Sequence, residues 1–530
     1  MLQLDPDAIL AEALRLRRAG YLTDAIAAAR RLTEVAPWRL EAWFIWGTSA
    51  LAAGRLSEAE QVLGEGARRS PVNARARFLV PRARTLTALG RSAEAVANTR
   101  AAVPQITQAA DFNTLSAVMS QANLLDEALP LSEAAVALDP LASDAWHNLG
   151  SLYQFMGRLE DAATAFERAI SVESNAAAHL ALARLRKWSV TDNHIERLKS
   201  APLVSPLDEA RLNYALFKEL DDVGHHDEAW ERLRRGAEVA KVAIGGWDAE
   251  QEAETLAAWM TAFPNAASLK RGDGLSRIEG MRPRRLFIVG LPRSGTTLVE
   301  RVLAAHSEVQ ALGELQTFGL AVKRVSQSRT PYLLDADTVR RVSEADPSEI
   351  AACYDPETDY LWDGRSSVTI DKLPHNHDYC GLIRRAFPDA LIVHVRREPL
   401  DALFGAYRLL FAHAHKWSYD FEDLATHYDH YRRLMAHWQA VDPAIIDVSL
   451  EGLIANPESE IRRLLSDCGL PFEPACLSPH EVMGAVATAS STQVRKPINA
   501  EGIGAWRRYA KGLKPLHNQL TALGYISPSP

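Results

Sequence analysis

Residues 284 to 297 read Arg-Arg-Leu-Phe-Ile-Val-Gly-Leu-Pro-Arg-Ser-Gly-Thr-Thr, and their types and order suit the binding of an anion. The apolar run Leu286 to Val289 predicts a buried parallel strand, and Gly290 to Gly295 a tight turn. Thr296-Thr297 then opens an amphipathic helix with Leu298, Val299, Val302 and Leu303 on its apolar face. Strand, glycine turn and helix start together aim main-chain N–H groups and the positive end of a helix dipole at a cluster of anionic oxygens. The glycine spacing is that of G-x-x-x-x-G-K-[ST], but Thr296 stands where a Lys would neutralise the β- and γ-phosphates of a triphosphate. The expected ligand therefore carries fewer charges, with Arg293 inside the turn as its cation.

The rest of the second half alternates strand and helix. Gly313-Glu314 follows the first helix, Thr369-Ile370-Asp371-Lys372 ends a short strand, and Ala390 to Val395 is a β-branched run that stops at Arg396-Arg397-Glu398-Pro399. Pro399 forbids simple continuation of a central strand. Ile445 to Val448 is a further strand, and Asn456-Pro457 opens a helix to Cys468, with Asn456 as N-cap. This order implies a mainly parallel sheet with helices on its faces, a P-loop-like α/β domain. Ligands of such sheets bind at the carboxyl ends of the strands. The glycine turn, Asp371-Lys372 and Arg396-Arg397 all fall there, so residues far apart in sequence are expected to converge.

The first half repeats. Pro37 and Pro71, and Gly20 and Gly54, lie 34 apart, Gly90 and Gly157 continue the series, and Leu124 falls near the intervening position. Trp146, Leu149, Gly150 and Tyr153, followed by Ala162, Phe166 and Ala169, resemble the tetratricopeptide pattern W-x2-L-G-x2-Y…A-x3-F. A second copy shows Trp43, Gly47, Gly54, Ala59 and Pro71, and a degenerate unit is expected from Leu212 to Val242. Small residues allow close helix approach and large ones fill the space between repeats, so the units stack into a solenoid. Residues 1–242 are assigned to this α-helical solenoid, 243–282 to a helical connector and linker with Arg271 to Gly274 as the linker, and 283–530 to the α/β domain. The fold class expected is α + α/β. Such arrays bind protein or peptide segments in a concave groove.

Composition narrows the function. At 530 residues the chain exceeds one core, 47% apolar and 24% charged residues exclude disorder as the main state, and the net charge of −8 gives no nucleic-acid footprint. The four cysteines form no C-x-x-C pair, and no stretch reaches the length of a membrane span. A cytoplasmic protein with free thiols is expected.

Beyond these readings, the second half resembles a sulfotransferase. Pro292-Arg293-Ser294-Gly295-Thr296-Thr297 resembles the loop that grips the 5′-phosphosulfate end of 3′-phosphoadenosine 5′-phosphosulfate (PAPS). Arg397-Glu-Pro-Leu-Asp401 resembles the R-x-P-x-D segment whose Arg contacts the 3′-phosphate, and Val448 to Pro457 resembles the Y-E-D-L…N-P element. Ser491-Thr-Gln-Val-Arg-Lys-Pro-Ile-Asn499 with Trp506 is similar to the cofactor-covering loop of the tyrosylprotein-sulfotransferase-like branch. The order of these segments behind repeats resembles bacterial tetratricopeptide-repeat sulfotransferases.

The resemblance implies a transfer of the sulfuryl group from PAPS to a hydroxyl, with no metal required. It implies Glu314 as the base, Lys372 and Arg293 as cations on the leaving group, and Pro292, Arg293, Ser294, Gly295, Thr296, Thr297, Arg495 and Lys496 as donor-binding residues. The 3′-phosphate falls to Arg397 or Arg396, the R-x-P register favouring Arg397. Eight residues after Arg397, at the cofactor-binding position where the family usually has Ser, stands Gly405: either a backbone N–H or a neighbour such as Arg408 substitutes, or donor affinity is reduced. Ser294 has no His partner in its motif and is not expected to be a nucleophile. His375 and His377, like His413 and His415, are read as packing or pocket-lining groups rather than metal ligands. The acceptor class stays open among protein tyrosine, carbohydrate, lipid and small phenol. A nucleotide-dependent kinase and a PAPS-binding scaffold without transfer are the alternatives.

Overall fold

The computed structural model describes residues 5–269, 282–482, 484, 487–488 and 494–528. The expected linker at Arg271 to Gly274 and residues Ser491 to Gln493 of the late loop lie outside the described residues. The chain divides into two compact units, residues 1–152 and 153–530.

The first unit is a run of antiparallel helix pairs beginning with Pro6–Arg18 and Leu22–Val35. Its turns explain the spacing of its glycines. Gly20, Gly54 and Gly90 take φ of 81°, 72° and 68°, a left-handed geometry that costs a residue with a Cβ. Just after each, a main-chain N–H returns to the last turn of the helix it leaves: Tyr21 to Leu16 O, Arg55 to Ala50 O and Arg91 to Leu86 O. At the next turn Asn123 adopts φ 59° and Leu124 N–H bonds to Met119 O, so Asn fills the position that breaks the glycine series. Gly47 belongs to the other use of glycine: a Cβ there would lie 2.6 Å from the Leu63 side chain of the paired helix.

The second unit starts with more of the same helices. Gly157 and Gly224 repeat the turn at φ 79° and 87°, and the unit expected near 212–242 is the helix pair Pro206–Asp222 and His226–Ile244. The helix Ala249–Ala262 follows, within the segment read as connector. The sheet then comprises β1 (Arg284–Gly290), β2 (Val309–Ala311), β3 (Val368–Lys372), β4 (Leu391–Arg396) and β5 (Ile446–Ser449), in the order β2-β3-β1-β4-β5. All four pairings are parallel. The α + α/β reading holds, and the sheet is parallel throughout. β2 was not anticipated: three residues on a sheet edge carry no periodicity.

β1 is buried on both faces, as its unbroken apolar run requires. Leu286 and Ile288 pack with Val299, Val302 and Leu303 of the following helix and with Ile461 and Leu464. Phe287 and Val289 face the opposite core, which holds Leu400, Leu403 and Phe404 and also Leu212, Leu216, Leu233 and Ala237 of the preceding helix pair. The helices from residue 176 onward thus share one hydrophobic core with the sheet. Pro457 takes the first turn of its helix, but the Asn456 side chain makes no capping bond.

Candidate active site

The loop from Gly290 to Gly295 is shaped by three residues with left-handed backbone. Gly290 ends β1 at φ 152°, where a Cβ would sit 2.4 Å from Val395 O of the neighbouring strand. Arg293 adopts φ 70°, and Gly295, at φ 101°, is the N-cap of the helix Thr296–Ala304 and gives it no side-chain cap. Leu298 and Val299 N–H donate to the Gly295 carbonyl, and the N–H groups of Thr296 and Thr297 ahead of them have no side-chain cap, which suits an incoming anion. Thr296, Thr297 and Ser294 are buried, Pro292 beside them is buried too, and Ser294 Oγ has no hydrogen-bond partner among the described residues.

Arginines gather at this loop. Arg397 donates from Nη1 to the Arg293 carbonyl at 2.9 Å and from Nη2 to the Gly502 carbonyl, and lies 3.9 Å from Asp401. Burial, then the like charges of Arg408, Arg397 and Arg184, push Arg293 down to about 9. Such mutual repulsion in a pocket favours an anion that relieves it. The neighbouring Arg396 turns away: its side chain is 60% exposed and bonded to Asp447 at 2.5 Å, whereas that of Arg397 is 10% exposed. Arg495 and Lys496 do not join the cluster. Arg495 bonds to Phe155 O at 2.8 Å and packs on Gly157, and Lys496 pairs with Glu501 at 3.5 Å. The late loop reaches the arginines instead through Gly502 and through Gly504, whose N–H donates to Asp401 at 2.6 Å.

Gly405 has a steric reason to be glycine, because a Cβ there would lie 3.0 Å from Cβ of Arg293. Gly405→Ser, which inserts the residue usual in the resembled family, should displace Arg293. Overpacking of this kind costs about 1–3 kcal/mol, so affinity for adenosine 3′,5′-bisphosphate should fall roughly tenfold in calorimetry. Equal or tighter binding would show that Arg293 can move without loss.

A second charged cluster lies one strand away. The β1–β3 register sets Lys372 opposite Ile288, two residues before Gly290. Lys372 is fully buried, with Nζ 2.5 Å from Glu314 and 3.6 Å from Glu300. Burial alone would lower its pKa, but Glu300 and Glu314 outweigh burial and raise it, so it stays charged. Glu300 is itself raised, by burial first, with Lys372 pulling the other way. Glu314 is 35% exposed and Glu300 only 7%, so Glu314 is the more accessible of the two carboxylates.

Asp371, beside Lys372, accepts from Tyr354 Oη at 2.9 Å and Asn376 Nδ2 at 3.2 Å. Burial pushes it up to about 8. A carboxyl whose folded pKa exceeds its unfolded value stabilises the fold while protonated and loses that contribution as pH rises through the folded value. Wild type should therefore lose stability relative to Asp371→Asn as pH climbs from the ordinary carboxyl range through about 8, with the difference constant above it. Urea titrations across pH check this; parallel curves would mean that Asp371 is ionised throughout.

The histidines form a packed aromatic region. The His375 and His415 rings are 4.4 Å apart, and burial pushes His375 down to about 3 and His415 well below its usual value. His427 stacks on Trp417 at 4.0 Å, and it and His430 hold Glu252 down to about 2 against the opposing effect of burial. Trp417, Tyr419 and Tyr428 are core residues. Among the described residues no group of three or more His, Cys, Asp or Glu is placed to hold a metal.

Sequence reading missed Glu300 and Arg184. For Glu300 a signal existed: it lies four residues after Thr296 on the same helix, hence on the same face. Arg184 had none, because its place depends on how the helices fold back on the sheet.

Comparison with known proteins agrees with this geometry. Residues 283–474 match the sulfotransferase family model, and residues 143–175 match a tetratricopeptide repeat. An uncharacterized protein of Aquifex aeolicus is 30% identical over 372 residues, 68% of this chain and 48% of that protein. The chain thus spans about half the length of this relative. Protein-tyrosine sulfotransferase A of Caenorhabditis elegans is 22% identical over 269 residues, 46% of this chain and 65% of that protein. A TPR protein of Thermus thermophilus covers 34% of this chain and 98% of its own, with a TM-score of 0.29 and 18% identity. With the loop, the parallel sheet and both family matches in one polypeptide, the chain is a tetratricopeptide-repeat protein that carries a sulfotransferase-family domain.

Proposed function

We propose that residues 283–530 transfer a sulfuryl group from PAPS to a hydroxyl, that residues 1–242 recruit the acceptor protein or a partner, and that 243–282 connect the two. The observation that carries this reading is the pairing of an arginine-bearing phosphate loop, with Thr296 in place of a Lys, to the Lys372–Glu314 contact of 2.5 Å at the adjoining strand end. The loop N–H groups, Arg293, Thr296 and Thr297 suit the 5′-phosphosulfate end, and Arg397 and Arg408 suit the 3′-phosphate. In the step itself the acceptor oxygen bonds to sulfur as the bond from sulfur to the bridging oxygen breaks. The hydroxyl proton passes to Glu314, and Lys372 and Arg293 meet the charge left on the phosphate. Glu300 keeps Lys372 balanced while Glu314 turns to the hydroxyl.

A protein tyrosine is the acceptor to which the Caenorhabditis elegans relative points. No helix among the described residues is long and apolar enough to cross a membrane, and we place the reaction in the cytoplasm. The test is transfer of radiolabelled sulfate from PAPS into the proteins of a cell lysate by the full chain. Label in protein, absent when PAPS is omitted, supports the reading. Bisphosphate binding with no transfer to any acceptor would make the domain a scaffold, and phosphate transfer from ATP would make it a kinase.

A further inference from the structure

One of the arginines at the phosphate loop comes from the helical array. Arg184 is the last residue of the helix Ala176–Arg184, which packs against Pro206–Asp222. Tyr214 of that second helix is buried, and its hydroxyl donates to the Tyr407 carbonyl at 3.1 Å. Tyr407 closes the helix that carries Gly405, and Gly405 lies against the stem of Arg293. A buried hydrogen bond thus ties the array helices to the wall of the anion pocket.

Arg184 is an anomaly in that wall. Its Nη2 is buried and has no hydrogen-bond partner among the described residues. Burial pushes it down to about 10, and the groups that act against burial are Tyr214 and Tyr419, not a carboxylate. Its charge bears on Arg293. Arg184 is half-buried, and a guanidinium whose inner N–H groups have neither partner nor counter-ion is costly, a cost that an arriving anion offsets.

We infer that Arg184 is a nucleotide-binding residue, a cation that the helical array contributes to the arginine cluster around Arg293. The inference rests on the donor reading above and deepens it. The array is then part of the donor site as well as a recruiting surface, and the two cannot be separated at residue 242 without loss of donor affinity.

Calorimetry on the full chain tests this with adenosine 3′,5′-bisphosphate and adenosine 5′-monophosphate as probes. Arg184→Gln should weaken both roughly tenfold or more, the loss of one charge-assisted contact. Arg184→Lys should recover part of the affinity, because it restores the charge without the fork. Unliganded Arg184→Gln should unfold at a temperature no lower than wild type, since it removes an unbalanced charge. Unchanged bisphosphate affinity in Arg184→Gln, with wild type binding normally, overturns the inference and leaves the transferase reading standing. Early melting of Arg184→Gln, with Arg184→Lys matching wild type in melting and affinity, would make the residue structural and also overturn it. Wild type that binds neither nucleotide would remove the transferase reading and this inference together.

Discussion

Glu314→Gln should slow sulfuryl transfer by roughly 10²–10⁴-fold while leaving the affinity for adenosine 3′,5′-bisphosphate close to wild type. The amide keeps an oxygen for Lys372 Nζ, which now lies 2.5 Å from the carboxylate, so the local geometry survives and only the capacity to take a proton is lost. Accessibility decides between the two carboxylates: Glu300, on the inner face of the helix that follows the loop, is 7% exposed, and Glu314 is 35% exposed. Single-turnover transfer into a labelled acceptor, set beside bisphosphate calorimetry, reads the two effects separately. An undiminished rate would discard Glu314 as the base.

Lys372→Met should be more damaging still, because it removes a cation that serves both the fold and the reaction. Breaking a buried ion pair by deleting one partner costs about 3–5 kcal/mol, and here two carboxylates are left facing each other. Protonation of Glu300 limits the loss. Glu300 is already raised by burial and loses its cation in the variant. A carboxyl raised in the folded state favours folding while protonated, so the variant should be least stable at alkaline pH and recover stability as pH falls. Turnover should drop at least ~10²-fold, since Arg293 alone is then left to meet the charge that develops on the phosphate. The double variant Lys372→Met with Glu300→Gln separates the roles: it should regain thermal stability and stay inactive. Recovery of activity in the double variant would show that Lys372 is structural.

Much of this site could be read from the chain because its parts are local. The turn from Gly290 to Gly295 declares its own backbone, since three of its residues take left-handed φ and two of them are glycines. Arg397 could be preferred to Arg396 on the R-x-P register of the resembled segment, and in the structure the Arg396 side chain is 60% exposed and pairs with Asp447. The repeats were legible through one turn used again and again, down to the place where Asn123 replaces glycine. What escaped were relations between distant segments. The strand Val309–Ala311 exists only because Val368 to Ile370 lie beside it. Contact between Gly502 and Arg397 joins residues separated by 105 positions, and the hydrogen bond from Tyr214 to the Tyr407 carbonyl spans 193. No periodicity or motif spans such separations. Gly405 is intermediate: its departure from the resembled pattern was visible, but the stem of Arg293 that requires it was not.

The central claim is that the arginine-lined loop is built for an adenosine bisphosphate and not for a triphosphate. Calorimetric titration of the purified full chain with adenosine 3′,5′-bisphosphate, and separately with ATP and magnesium, tests it most directly. Saturable one-to-one binding of the bisphosphate, with no heat from ATP and magnesium at the same concentrations, is the predicted result. Binding of ATP with silence toward the bisphosphate would contradict it.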